Sequence, residues 1–368
     1  MRRVSIYLAI AASITIQLAQ AQDYGLYIGD RDMERGVVYA YPGITNLASH
    51  AFTWPLITQF SDPNYDWGGL DFCYGLAFAP GGILWAGNVL GGTLEKFDAT
   101  TGAHLGTVSA PVSPHGLAIG PPACRSSGSY AVYVAGAQTI YGYDPTLNSW
   151  FVFANLPDGA YSYALRWRWE GDDPEHGAYV LYVSALGTTG GVYKFLRNCR
   201  QDPPGVQLWG PVTDPNYGGY YHEIDFFGDD VLVAITTNCC YSGDGAIWRL
   251  DANGNSLGYF ATQTPTGPYS GTFFGLAVAP DRQYIYVTEY ATGLLITYST
   301  ATYPSGQLVN VTKVTSFSHP KLGLQIEIGP KFTCAGGGNQ CPEDINGDGI
   351  VDDADLLAVL FAFGTSCP

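Results

Sequence analysis

Five oxygen-bearing side chains near the C-terminus are spaced as ligands to a hard cation. Asp344, Asn346, Asp348, Asp352 and Asp355 stand at positions 1, 3, 5, 9 and 12 of one loop, Gly349 at position 6 allows its tight turn, and position 7 offers the Ile350 carbonyl. Calcium takes this many oxygens at a short radius, whereas magnesium usually keeps several waters, so the loop reads as a calcium site. From Asp353 to Phe363, the residues Leu356, Leu357, Val359, Leu360 and Phe363 recur at helical spacing, and Gly364 can end that helix. A second set of candidates lies upstream. His115 and His222 can exchange a proton or hold a metal, and Glu223, beside His222, can act as a base. No complete catalytic signature accompanies them: the chain has no GxSxG elbow, HExxH helix, Walker loop or dinucleotide fingerprint.

The elements that must position these residues are announced by a recurring cue: a small residue, a branched aliphatic and another small residue, often closed by proline. Strong copies read Gly75-Leu76-Ala77-Phe78-Ala79-Pro80, Gly116-Leu117-Ala118-Ile119-Gly120-Pro121 and Gly275-Leu276-Ala277-Val278-Ala279-Pro280. Weaker copies are Ala164-Leu165-Arg166, Glu223-Ile224-Asp225 and Gly323-Leu324-Gln325. The intervals are 41, 48, 59, 52 and 48 residues, the spacing of a four-stranded propeller blade. Strands rich in Tyr, Val and Ile follow each of the first five cues, separated by Gly, Pro, Asp and Asn. Residues 25–29 and 36–41 supply second and third strands without a first, and 323–330 a first strand without the rest. The expected fold is therefore an all-β, six-bladed β-propeller over 22–333, closed by its C-terminal strand, with five or seven blades as alternatives. A small calcium loop and helix over 334–368 would follow.

In such a ring the residues just before the cues, Tyr74, His115, Tyr163, His222, Phe274 and Leu322, encircle one mouth of the central channel. They would either plug that mouth, bind a sugar or other small ligand on their rings, or, through His115 and His222, hold a metal. Arg166 and Asp225 replace the alanine of the strong cues on neighbouring blades, which predicts a buried ion pair or an anion or hydroxyl site. The echo between Asp62-Pro63-Asn64-Tyr65 and Asp214-Pro215-Asn216-Tyr217 is accounted for by turn chemistry, with paired binding loops as the alternative.

Residues 1–21 combine Arg2 and Arg3, an apolar run from Val4 to Leu18 and the small-x-small end Ala19-Gln20-Ala21, the pattern of a cleaved export signal. Removing it leaves 14 basic against 32 acidic residues, which argues against nucleic acid as a partner. No later stretch is apolar enough over sufficient length for a membrane span. All eight cysteines lie after the signal, consistent with disulfides in an oxidising compartment. Cys341 and Cys367 bracket the calcium loop and are the expected pair. The adjacent Cys239 and Cys240 would pair outward separately or with each other.

With Asp at position 12 and no helix leading into it, the Asp344 to Asp355 pattern resembles a type I dockerin repeat. That resemblance implies a calcium-folded attachment or capping segment and a bacterial source; the chain carries one repeat where dockerins carry two. The cues over residues 70 to 330, each followed by a Trp- or Tyr-bearing strand, resemble NHL and SMP-30-like propellers and the streptogramin lyases. This second resemblance implies a binding face at the channel, and the lyases use a histidine at the place that Pro114-His115-Gly116 occupies here. The expected function is a secreted, non-enzymatic binding or scaffold protein, extracellular or at the cell surface, associated with carbohydrate or self-assembling. The alternative is a metal-dependent lactonase or lyase working at the channel mouth with His115, His222 and Glu223. The calcium reading predicts heat of binding and a gain of helix when calcium is titrated into the 334–368 peptide; a silent titration with an unchanged circular dichroism spectrum would refute it.

Overall fold

A strand wedged between two neighbouring sheets must be apolar on both faces, whereas one at the outer edge needs only one apolar face. The strands of this protein follow that gradient. The computed structural model describes residues 24–29, 38–41, 58–60, 73–99, 102–171, 177–217, 219–237, 244–263, 272–289, 294–313 and 326–330. One sheet joins β1 (Tyr24–Gly29), β2 (Val38–Tyr41) and β3 (Thr58–Phe60) to β24 (Ile326–Pro330), in the order β24-β1-β2-β3. Five more each comprise four consecutive antiparallel strands. They are β4 to β7 (Cys73–Ala79, Ile83–Asn88, Thr93–Asp98, His104–Ser109), β8 to β11 (Gly116–Gly120, Ala131–Ala135, Thr139–Asp144, Ser149–Asn155) and β12 to β15 (Ala160–Glu170, Ala178–Gly187, Gly191–Arg197, Gly205–Val212). The last two are β16 to β19 (Tyr220–Phe227, Asp230–Thr236, Gly245–Leu250, Ser256–Gln263) and β20 to β23 (Phe273–Val278, Tyr284–Glu289, Leu294–Ser299, Gln307–Lys313).

The first strands touch in the closed order β4, β8, β12, β16, β20, β24 and back to β4, so the fold is a β-propeller. Second strands such as β9 are buried at every residue, while the outer β7 alternates half-buried and exposed. Core side chains lie between sheets. Tyr182 and Val192 of one sheet pack with Ile224, Val231 and Trp248 of the next, and Leu232 and Ile247 pack with Leu276 and Ile296 beyond them. The cue supplies the inner contacts: its aliphatic residues Leu76, Leu117, Leu165, Ile224 and Leu276 are fully buried. The small first residue lets adjacent inner strands approach, since a Cβ on Gly116 would collide with the Tyr163 carbonyl and the Ala164 Cα.

The closing strand enters at a different register from the one its sequence cue suggests. Ile326 pairs with Ile28 and Glu327 with Tyr27, just as Leu117 pairs with Val134 and Ala118 with Tyr133. Ile326 and Glu327 therefore hold the second and third cue positions, two residues later than the Gly323-Leu324-Gln325 alignment. Pairing, which must set the aliphatic residue into the core, overrides the local resemblance to the cue.

The signal segment, the 334–368 segment with the expected ligands Asp344, Asn346, Asp348, Ile350, Asp352 and Asp355, the Cys341–Cys367 pair, Cys239, Cys240, Leu322 and Asp62 to Tyr65 lie outside the described residues. Among the described residues no helix is long and apolar enough to cross a membrane. A disulfide that sequence alone could not pair joins Cys124, after β8, to Cys199, after β14, with Cα atoms 5.4 Å apart. It links two adjacent sheets across 75 residues of chain. Arg197 reinforces the junction by donating from Nη2 to the Pro122 carbonyl at 2.8 Å. Closing a loop of this length removes about 4 kcal/mol of unfolded-chain entropy in the chain-entropy model. Replacing both cysteines by serine should lower the thermal midpoint by on the order of 5–10 °C; an unchanged midpoint would show that the bond does not restrain the ring.

Candidate functional site

Four of the inner strands, β4, β12, β16 and β20, carry an extra residue at the same place. The pairing register slips between Cys73 and Leu76, Ser162 and Ala164, Tyr221 and Ile224, and Phe273 and Leu276. Each slip is a β-bulge at the residue before the cue, and a bulge re-aims the side chain that it carries. Hydroxyl groups satisfy the amides it frees: Ala164 N donates to Ser184 Oγ at 3.0 Å and Gly275 N to Thr288 Oγ1 at 2.8 Å. In β16 the corresponding second-strand residue is Ala234, which has no hydroxyl. The Glu223 carboxyl there accepts instead from the next amide along, Ile224 N, at 3.2 Å.

The four bulged residues, with His115 just before β8, form one aromatic cluster that holds five of the six expected rim residues. Tyr74 meets His115 at 5.0 Å between ring centroids and Tyr163 at 5.9 Å, both edge-on. Tyr163 meets His222 at 5.3 Å and Phe274 at 6.4 Å. His222 stacks on Phe274 at 4.0 Å. Tyr74 and Tyr163, and likewise Tyr163 and Phe274, stand two inner strands apart, so these contacts reach across the mouth. His115 Nδ1 lies 3.0 Å from the Ser113 carbonyl. His222 is 1% exposed, and among the described residues neither of its ring nitrogens has a hydrogen-bond partner. Burial holds it neutral, with its pKa lowered to about 3.

One turn of the cue further along the channel lies a charged group. Arg166 donates from Nη1 and Nη2 to Glu327, the second contact at 3.0 Å, and from Nε to the Ile224 carbonyl at 3.0 Å. β12 and β24 stand opposite each other in the cyclic order, so this two-pronged ion pair crosses the axis. The expected Arg166–Asp225 pair is corrected accordingly. Asp225 lies within the field of Arg166, but its oxygens accept from Phe226 N at 2.9 Å and Val278 N at 2.7 Å, and those bonds point it away from a direct bridge. Glu223 is 3% exposed, with Oε1 4.0 Å from Arg166 Nε. Burial raises its pKa to about 8 against the opposing pull of Arg166. Burial likewise raises the carboxyls of Asp225 and Glu327. For Arg166, burial works against the charge, but Glu327, Glu223 and Asp225 outweigh it and hold its pKa above the usual value.

Of the residues singled out from sequence, Tyr74, His115, Tyr163, His222 and Phe274 come together, as do Arg166, Glu223 and Asp225, while Glu327 was missed. A signal for Glu327 exists: second strands repeat an aromatic followed by an aliphatic, Trp85-Ala86, Tyr133-Val134, Tyr182-Val183 and Tyr286-Val287, opposite the third and second cue positions. Tyr27-Ile28 continues that series and points to Glu327. Among the described residues no group of three or more His, Cys, Asp or Glu side chains is arranged to hold a metal ion. Asp214 is a buried turn residue: Oδ1 accepts from Asn216 N at 2.8 Å and Tyr217 N at 3.0 Å, and both oxygens accept from the Tyr259 hydroxyl. Turn chemistry accounts for that half of the sequence echo.

No family model and no curated protein matches this chain. Among solved structures it is similar to a chain of a nidogen/laminin complex, at 12% identity and a TM-score of 0.54, over 84% of this chain and 99% of that one. It is also similar to the periplasmic gluconolactonase PpgL of Pseudomonas aeruginosa, at 15% identity and a TM-score of 0.52, over 81% and 85%. A protein of unknown function from Bacteroides caccae gives 12% identity and a TM-score of 0.50, over 84% and 99%. Likeness at these identities shows the propeller fold and leaves activity open.

Proposed function

We propose that this chain is an exported binding or scaffold propeller, six-bladed and closed by β24, whose axis is built for rigidity rather than catalysis. The observation that carries this reading is the Arg166–Glu327 pair across the channel, capped by the aromatic cluster of Tyr74, Tyr163, His222 and Phe274. The protein's own side chains fill the place where a substrate would meet catalytic groups. Among the described residues, His222 also has no hydrogen-bonded partner to orient it as a working base. The disulfide suits an extracellular location, and the 334–368 segment supplies a calcium-ordered attachment point. A carbohydrate or other cell-surface partner, or a second copy, is the class of partner this surface serves.

A lactonase- or lyase-type reading has one observation in its favour. Glu223 holds its proton near neutral pH beside His222, in a fold shared with a periplasmic gluconolactonase. The two readings separate on metal content and turnover. The mature protein should carry one calcium per chain, lost in the D344A/D348A variant, and should not hydrolyse gluconolactone above background. A second metal or a lactone hydrolysis that E223Q abolishes would overturn the scaffold reading.

The channel also sets a pH dependence. A carboxyl whose pKa is raised on folding stabilises the folded state fully below its unfolded value, and that stability is lost as pH rises through the folded value. For Glu223 the window runs from 4.5 to about 8. Asp225 and Glu327 are raised too and act in the same direction. Wild-type protein should therefore lose a few kcal/mol of stability between pH 5 and 9, as followed by denaturant unfolding, and E223Q should show a flatter profile. Parallel profiles would place the proton elsewhere.

A further inference from the structure

β12 and β13 outrun their neighbours. They span 11 and 10 residues, against five each for β8 and β9, and remain paired as far as Glu170 with Ala178. Counted from the third cue position, β12 continues two residues beyond the end of β8 or β16, so this hairpin stands about 7 Å proud of the adjoining sheets. Its projecting end carries two large rings where solvent would favour polar residues. Trp169 and Tyr179 face each other across the strands, 40% and 42% exposed, with ring centroids 4.8 Å apart at a steep angle.

The indole is held flat. A Cβ on Gly177 would collide with its Cζ2 and Cε2 atoms, so the glycine backbone lies against one face of the ring. Tyr179 supports the edge. Tyr179 is itself backed by Trp167 at 6.4 Å. A pinned, half-exposed indole with a tyrosine hydroxyl beside it presents an apolar face and a hydrogen-bonding group at small entropic cost.

We propose that Trp169 and Tyr179 form a stacking platform for a neutral saccharide, remote from the channel. It rests on the binding-protein reading for its ligand class and not for its location. The charges around it identify the ligand. Among the described residues, Arg168 is paired with Asp229 at 2.9 Å and Glu170 with Lys194 at 2.7 Å. The net charge of −16 opposes an anionic glycan or an anionic membrane. The two rings together expose on the order of 200 Å², far below the roughly 800 Å² per partner of a stable protein interface. That area matches the apolar face of one or two pyranose rings.

The test is affinity electrophoresis of the full mature protein in gels containing mixed-linkage β-glucan, galactomannan or dextran, with sedimentation on insoluble cellulose and chitin. At least one neutral polymer should retard the wild type; W169A and Y179A should weaken retention at least tenfold, G177A should weaken it by tilting the indole, and W169F should restore part of it. Circular dichroism and thermal midpoints confirm that each variant is folded. The proposal falls if no neutral polymer is bound, if retention survives W169A, or if Y74A or H115A abolishes it while W169A does not. It also falls if W169A instead removes salt-sensitive binding to an acidic polysaccharide, binding to phosphatidylcholine vesicles, or dimerisation. Lactone hydrolysis found alongside Trp169-dependent retention would remove the scaffold reading and leave the platform standing.

Discussion

A ring of sheets has no terminal neighbour, so its stability depends on how the last strand is fixed to the first. Here backbone pairing of β24 with β1 is supplemented by the Arg166 guanidinium, which reaches across the axis to Glu327. Two parallel charge-assisted bonds set both distance and angle, which a lysine could not do. Buried pairs of this kind add little net stability relative to an apolar filling, but losing one partner costs about 3–5 kcal/mol, because the survivor is stranded. Register is what the pair secures: a slip of β24 by one residue would bury an unpaired arginine and turn Ile326 out of the core. The excess of carboxyl over guanidinium around Arg166 follows from this geometry, and it is relieved by a proton on Glu223.

The rhythm of the ring was legible because inner strands leave few choices. The second cue position must fill the space between sheets, and the first must let neighbouring backbones approach, so small-aliphatic-small recurs wherever both conditions hold. Legibility failed where the conditions were relaxed. The closing strand presents Gln325-Ile326-Glu327, with neither flanking residue small, and the nearby Gly323-Leu324 imitates the cue without meeting its register. Arg166 and Asp225 were correctly drawn to one place, but sequence could not show that backbone amides already engage Asp225 and leave the arginine to a strand 161 residues away. The Cys124–Cys199 pair was equally hidden, since it depends on loops that meet only once two sheets are packed.

Bulges do opposite work at the two ends of each sheet. On inner strands they gather aromatic and imidazole side chains over the channel mouth. On the outer strands the register also slips, once in β7, β11 and β23 and twice in β15 and β19. Bulged, twisted edges are poor templates for strand addition, a common protection of exposed sheet edges. Assembly between copies, if used, would therefore run through loops, faces or the C-terminal segment rather than through edge pairing of blades.

These constraints also decide where a ligand can be accommodated. At the axis, a guest must part Arg166 from Glu327 and unstack His222 from Phe274, leaving charge and apolar surface uncompensated at a cost of several kcal/mol. Stacking on one aromatic ring returns only about 0.5–1.5 kcal/mol beyond area burial. On the projecting hairpin, a guest meets a half-exposed ring that is already held in place by Gly177 and Tyr179. β12 is anchored at Arg166, which bonds Glu327 and the Ile224 carbonyl, and it carries Trp169 three residues further on.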